Sequence, residues 1–245
     1  MVPGHRLVRR APRGPEVSAR GAGRPAAPAR TPRRRRSADL QRQRLIDACI
    51  SALHVYGPSR TTVAKVVGIA RLSPGIVRFY FKSKQAMLVA SLQFLATEFA
   101  DYMLEPVGRL RATPVQALQQ LVERYLDPAI SSPRKVSVWY AFWGEATARQ
   151  EYLEICGQKD ERFADLVHEL IRRMIEQSGM WHLNADAIAL GLIGVLEVIW
   201  QGFAFQSEQQ IDRAGARRRC MAYLAWWISS QPMALPRLPR CLSPT

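Results

Sequence analysis

The sequence predicts an all-α fold: an N-terminal three-helix unit of helix-turn-helix type, then a larger C-terminal helical domain. Three observations carry this. Leu45, Ile46, Cys49, Ile50 and Leu53 recur at steps of three and four, one apolar stripe. Helix-start signals follow at short intervals, at Thr61/Thr62, Ser73-Pro74, Ser83 and Thr113-Pro114. The C-terminal part holds no convincing strand.

Residues 1–38 are rich in Pro, Arg, Ala and Gly and poor in large apolar side chains. Such a segment buries too little surface to offset its ordering entropy, so it is expected to be disordered. The helical pattern starts at Asp39. Gly57-Pro58 stops the first helix. Thr61 or Thr62 caps a short second helix over Val63 to Ala70. Ser73 caps a third, with Pro74 at its first position, where a missing N–H costs nothing. Ser83 caps a longer helix to about Met103. These give a DNA-binding unit over 39–84 and a helical domain over 85–230. In the latter, Thr113-Pro114-Val115-Gln116 is a capping-box pattern. Ser132-Pro133 starts another helix. Further helices are expected over about 134–148, 150–177, 185–207 and 212–229, with Gly179 at a helix end. Pro232, Pro236, Pro239 and Pro244 make 231–245 a loose tail.

The net charge of +15 points to a polyanionic partner. Eleven Arg against one acid, Glu16, concentrate it in Met1 to Ala38. The Arg33 to Arg36 run has three readings: a basic arm adding non-specific phosphate contacts, a targeting-like tail, or a start placed too far upstream. The favoured one is a dispensable tail that raises DNA affinity. Asp39 to Met103 is basic in its own right, with eight Lys or Arg against four acids. The four Cys, at 49, 156, 220 and 241, form no C-x-x-C pair and have no His at metal-ligand spacing. They read as buried or incidental thiols in a reducing compartment, with no metal and no cofactor. No apolar stretch of secretory-signal type follows the Met, so the cytoplasm is the expected location. Ala187 to Phe205 approaches membrane-span length, but Glu197 and Gln201 interrupt it. It is expected to be a buried core helix, covered partly by a second subunit, with Gly191 and Gly194 permitting close helix approach.

The stretch from Thr61 to Lys84 has the layout that pushes one helix into a DNA major groove while neighbouring helix ends grip phosphate. Lys84 lies in the first turn of its helix, where the macrodipole disfavours a cation and an external anion would help. Lys65 and Lys82 could add to it. Pro74, Gly75, Val77, Arg78 and Phe79 are expected to face the groove. Gly75 allows close backbone approach, and Arg78 can pair bidentately with guanine. Tyr80 could donate its hydroxyl to a phosphate.

Leu72-Ser73-Pro74-Gly75-Ile76-Val77 and Tyr80-Phe81-Lys82-Ser83-Lys84-Gln85-Ala86-Met87-Leu88 resemble the DNA-binding domain of the TetR family of transcriptional regulators. Two departures stand out. The family commonly has Gly where Arg71 stands and Ala where Val67 stands. Arg71 would be strained if its φ is positive, or it could reach a phosphate. The resemblance narrows to the BetI-type subfamily, choline-responsive repressors of glycine betaine synthesis genes. Arg42-Gln43-Arg44-Leu45-Ile46-Asp47-Ala48, Gly75-Ile76 and Trp139-Tyr140-Ala141-Phe142-Trp143 carry it, with the spacing onward to Arg162 and Arg172-Arg173. It implies a homodimer on a palindromic operator, double-stranded DNA as partner, and a C-terminal domain that dimerises and binds an inducer.

Trp139 and Trp143 are an i, i+4 pair with Phe142 beside them. Glu197 and Trp200 are an i, i+3 pair on an otherwise apolar helix. Aromatic faces plus one carboxylate suit a small quaternary ammonium inducer, by cation–π attraction and charge balance. The same aromatics would equally serve as core or dimer interface. Glu145 is an alternative carboxylate, more in keeping with a surface position, and Arg172 and Arg173 read as solvated. A regulator of the same type with a different small-molecule inducer, or with none, is the alternative. The four His, at 5, 54, 168 and 182, lie in no nucleophile elbow, phosphate loop or metal cluster, so an enzyme is not expected.

Overall fold

The computed structural model describes residues 32–145 and 149–229. The expectations for most of the N-terminal tail, for 231–245 and for Cys241 lie outside the described residues. Every regular element described is helical.

Helix α1 runs Pro32–Arg60, so helical backbone begins ahead of the expected Asp39 and includes the Arg33 to Arg36 run. Gly57 breaks it with φ 71 and ψ 170, followed by Pro58, where the stop signal was expected. Leu45, Ile46, Cys49, Ile50 and Leu53 form its buried face. Each fully buried large aliphatic side chain contributes about 1.5–3 kcal/mol.

Helix α2 (Val63–Ala70) is capped by Thr62, whose hydroxyl accepts from the Lys65 N–H at 3.3 Å. Its C-cap, Arg71, sits at φ 52 and ψ 50. That left-handed conformation is where a Cβ is penalised, so the strain expected at this departure from Gly is present. Arg44 of α1 donates to the Ala70 carbonyl at 2.9 Å, satisfying an orphan acceptor of the α2 terminus. Helix α3 (Gly75–Tyr80) begins differently from expectation. Pro74 is the N-cap, in αR conformation, and no side chain caps the helix. Ser73 contributes its backbone carbonyl, which accepts from the Ile76 N–H at 3.1 Å.

Helix α4 (Lys84–Phe99) is capped by Ser83, which accepts from Ala86 N–H at 3.0 Å. It ends at Phe99 rather than Met103, passing into a π-helical turn at Ala100–Leu104 and then α5 (Glu105–Gly108). Helix α6 (Pro114–Tyr125) carries the expected capping box between Thr113 and Gln116. A short α7 (Pro128–Ser131) precedes α8 (Pro133–Gly144), which stops short of the expected 148. Helix α9 (Arg149–Ser178) ends at Gly179, whose φ of 69 makes it the turn-forming C-terminal glycine. Helix α10 (Ala185–Ala204), a 3₁₀ turn at Glu208–Gln210 and α11 (Arg213–Ser229) complete the described chain.

Helix α4 joins the N-terminal unit to the C-terminal bundle, packing on both α1 and α9. Helix α8 packs against α1 and α10. Its polar anchors to α1 are Arg134 to Asp47 at 2.8 Å and His54 Nδ1 with Ser137 Oγ at 2.7 Å. An aromatic cluster fills the bundle centre. Phe99 meets Tyr125, Trp139, Phe163 and Trp200 edge-on, with centroids 5.9–6.5 Å apart. Helix α10 is long and apolar enough to cross a bilayer by length and composition. One side of it is buried through Ile188, Leu192, Leu196, Ile199, Trp200 and Phe203. A Cβ at Gly191 would collide with the Tyr223 hydroxyl of α11, so this glycine serves close approach within the subunit. Gly194 meets nothing within 4 Å.

Candidate functional site

The helix-turn-helix end presents a single exposed surface. Ser73, Pro74, Gly75, Arg78 and Phe79 are all exposed around α3. Thr62 and Lys82 are exposed beside them. Two expected groove residues are placed elsewhere. Val77 is only 3% exposed and belongs to the core. At one residue from Ile76 and Arg78 it points inward, because successive helical residues are turned by roughly 100°. Thr61 is fully buried, and its hydroxyl donates to the Gly57 carbonyl at 2.7 Å, inside the kink. Thr62 alone is the cap.

Three further side chains have partners within the protein. Tyr80 donates to Gln41 Oε1 at 2.9 Å. Lys65 donates to the Arg60 carbonyl at 2.8 Å with its ammonium 3.9 Å from the Tyr56 ring centroid. Lys84 reaches the Ser59 carbonyl at 3.5 Å. A phosphate at these points competes with internal contacts, most weakly at the long Lys84 bond.

The second site is a cavity of about 350 Å³ in the C-terminal bundle. Trp139, Tyr140 and Trp143 of α8, Tyr152, Lys159 and Asp160 of α9, and Glu197, Trp200 and Gln201 of α10 line it. The i, i+4 spacing puts Trp139 and Trp143 on one helix face, and the i, i+3 spacing does the same for Glu197 and Trp200. Phe142 is a correction. It is fully buried and turns away from this cavity, toward a recess with Lys84, Leu88 and Glu145. The roughly 100° step that separates it from Trp143 is the reason.

Glu197 is held from two sides. Tyr125 donates to one carboxylate oxygen and Tyr140 to the other, each at 2.8 Å. Burial first, and then the Glu197 charge, hold both phenols well above the ordinary Tyr value, so both remain donors. Trp200 donates its indole N–H to the Tyr125 carbonyl at 2.9 Å, which fixes the ring at the cavity wall. Tyr152 donates to Asp160 at 3.0 Å and is raised in the same way, by burial and then by Asp160. Lys159 pairs with Asp160 at 2.6 Å. Its ammonium lies 4.2 Å from the Phe99 centroid and 4.6 Å from that of Trp139. Below this, burial pushes the Cys156 thiol up to about 12, leaving it an inert packing group.

Sequence reasoning missed Tyr125, Tyr152, Lys159, Asp160 and Gln201. A signal existed for two of them. The α9 apolar stripe of Tyr152, Cys156, Phe163 and Val167 is interrupted by Lys159 and Asp160 at stripe positions.

Residues 114–228 match the family model for the C-terminal domain of BetI-type transcriptional repressors. The HTH-type transcriptional regulator BetI of Klebsiella pneumoniae is 28% identical over 167 residues, covering 66% of this chain and 80% of that protein. Among solved structures, a putative transcriptional regulator from Saccharomonospora viridis in complex with choline superposes with a TM-score of 0.62. It is 16% identical and covers 76% of this chain and 96% of that one. The regulator FadR from Bacillus subtilis in complex with stearoyl-CoA superposes with a TM-score of 0.57. It is 17% identical, with 76% and 97% covered. One fold thus carries very different ligands, and the ligand has to be read from the cavity's own chemistry. The curated relatives are transcriptional regulators rather than enzymes. On the C-terminal match, the relatives and the helix-turn-helix fold together, the chain is similar to BetI-type transcriptional regulators of the TetR family.

Proposed function

We propose that this regulator is a cytoplasmic homodimeric repressor that grips a palindromic operator and releases it when a small monocation such as choline binds. The observation that carries the ligand reading is Glu197, gripped by two tyrosine hydroxyls inside an aromatic-lined cavity. A half-buried carboxylate between tryptophan and tyrosine faces suits a cation whose charge is spread over methyl groups.

The dimer reading rests on α10. Opposite its buried face, Leu190 is 72% exposed and Val198 67%, with Gly194 between them and Phe205 89% exposed just beyond. An unpartnered apolar stripe of this length favours a second copy of the same helix, related by a two-fold axis. Each subunit then offers one α3 helix to successive major grooves, with Gly75 and Arg78 toward the bases.

Ligand contacts lie on α8, α9 and α10. Helix α8 is fastened to α1 through Arg134–Asp47 and His54–Ser137, so the cavity and the reading head share a rigid connection. A cation that prefers one spacing of the two heads shifts the population toward it. A coupling of ~1–3 kcal/mol gives roughly 5- to 150-fold derepression. The test is operator binding with and without choline or betaine aldehyde. No response to either removes the ligand assignment and leaves the regulator.

A second reading has one specific observation in its favour: Lys159 already places a cation against Phe99 and Trp139. A regulator without an inducer would use this cage only for packing. Thermal melting against a panel of small cations separates the readings, since a ligand of the native state raises stability by mass action.

A further inference from the structure

We propose that Lys159 is a tethered competitor for the cation site: its ammonium fills the aromatic cage in the ligand-free protein, and an inducer binds by displacing it. This rests on the cationic-ligand reading. The surroundings of Lys159 are those an ammonium ligand would seek. Its Nζ faces the Phe99 and Trp139 rings at 4.2 and 4.6 Å and pairs with Asp160 at 2.6 Å. The side chain is 14% exposed. Phe99 and Trp139 therefore cannot serve a second cation while Lys159 remains, because like charges at such spacing repel strongly in a partly buried site. The four-carbon stem lets the ammonium withdraw toward the cavity mouth while its methylenes keep covering apolar surface. Asp160, the adjacent residue, stays within its reach.

Displacement also reaches the reading head. Phe99 is the last residue of α4, the helix whose first turn is capped by Ser83 beside the recognition helix. Immediately after Phe99 the chain enters the π-helical turn Ala100–Leu104. Such turns interrupt the regular ladder and collect at functional positions. Lys159 thus holds the far end of α4 at the point where that helix is most easily re-registered. Its departure releases Phe99 and leaves α4 free to take the position a bound inducer favours.

Lys159→Met removes the charge and keeps an unbranched apolar stem; Lys159→Gln is the second variant, and thermal melting checks that both fold. In calorimetric titrations with choline and with tetramethylammonium, both variants are expected to bind about tenfold tighter than the wild type. Binding by the variants alone supports the proposal equally. Equal or weaker binding by both variants, with wild-type binding intact, overturns the displacement and leaves the cationic-ligand reading standing. No ammonium binding by any of the three proteins overturns both. An independent readout uses the wild type alone. Amine-reactive labelling, read at Lys159 by peptide mass spectrometry, is expected to speed up at saturating choline, and unchanged or slower labelling overturns the proposal.

Discussion

Glu197→Gln is nearly isosteric, removes one negative charge and keeps an acceptor oxygen for one of the two tyrosines. Tyr140 has a fallback, since its hydroxyl already lies 3.2 Å from the carbonyl oxygen of residue 197. The two charge-assisted bonds at 2.8 Å therefore weaken to neutral ones rather than vanish. Charge-assisted bonds contribute ~1.5–3 kcal/mol each and neutral ones ~1, while the variant no longer has to keep a carboxylate half-buried, so the expected net loss of stability is ~1–2 kcal/mol. The ligand term is larger. A cation bound at about 5 Å from the carboxylate, with an effective dielectric constant of about 20, gains ~3 kcal/mol. Solvent at the cavity mouth reduces this, and the expected loss of choline affinity is about 10- to 100-fold. The control is 3,3-dimethylbutan-1-ol, which has the shape of choline without its charge and should bind both proteins equally. Titration calorimetry supplies both affinities, and melting curves supply the stability change. Unchanged choline affinity, or parallel losses for choline and the neutral alcohol, would refute the electrostatic argument.

Arg78→Ala should lose ~1–3 kcal/mol of discrimination at one operator base pair, read by binding to a set of singly substituted duplexes; a uniform loss across all duplexes would make Arg78 a phosphate contact instead. Lys82→Ala should weaken all duplexes alike and lower the salt-dependence slope by about 1. Val198→Glu, at the centre of the exposed α10 stripe, should turn the dimer into monomers in sedimentation, and persistence of the dimer would move the interface elsewhere. Arg71→Gly should stabilise. Relief of ~1–2 kcal/mol of left-handed strain outweighs ~0.4–1 kcal/mol of added unfolded-state entropy, and the melting temperature should rise by about 1–4 °C. A lower melting temperature would contradict the strain reading.

Local chemistry was legible. Thr62, Ser83 and Thr113 cap their helices through bonds to N–H groups three residues on, an interaction contained in a single turn of chain. Ser73 showed the limit of the same reasoning. With Pro74 in αR conformation, the turn is closed by the Ser73 carbonyl instead of its hydroxyl. Periodicity marked the buried face of α1 correctly, yet Val77 and Phe142 were assigned to functional faces because their neighbours belonged there. On a helix, adjacency in sequence is a poor guide to a shared direction, because neighbours are turned by roughly 100°.

What the chain determined by itself is its run of helices, the cap and kink residues that delimit them, and the Trp139/Trp143 and Glu197/Trp200 pairs, because each depends on bonds or spacings within a few residues. What only the tertiary structure decided is the company those pairs keep. Tyr125 reaches Glu197 across 72 residues, and Lys159 meets Phe99 and Trp139 only because α9 crosses both α4 and α8. Helix packing angles and heights set such meetings, and they arise from the whole buried surface rather than from any segment of it.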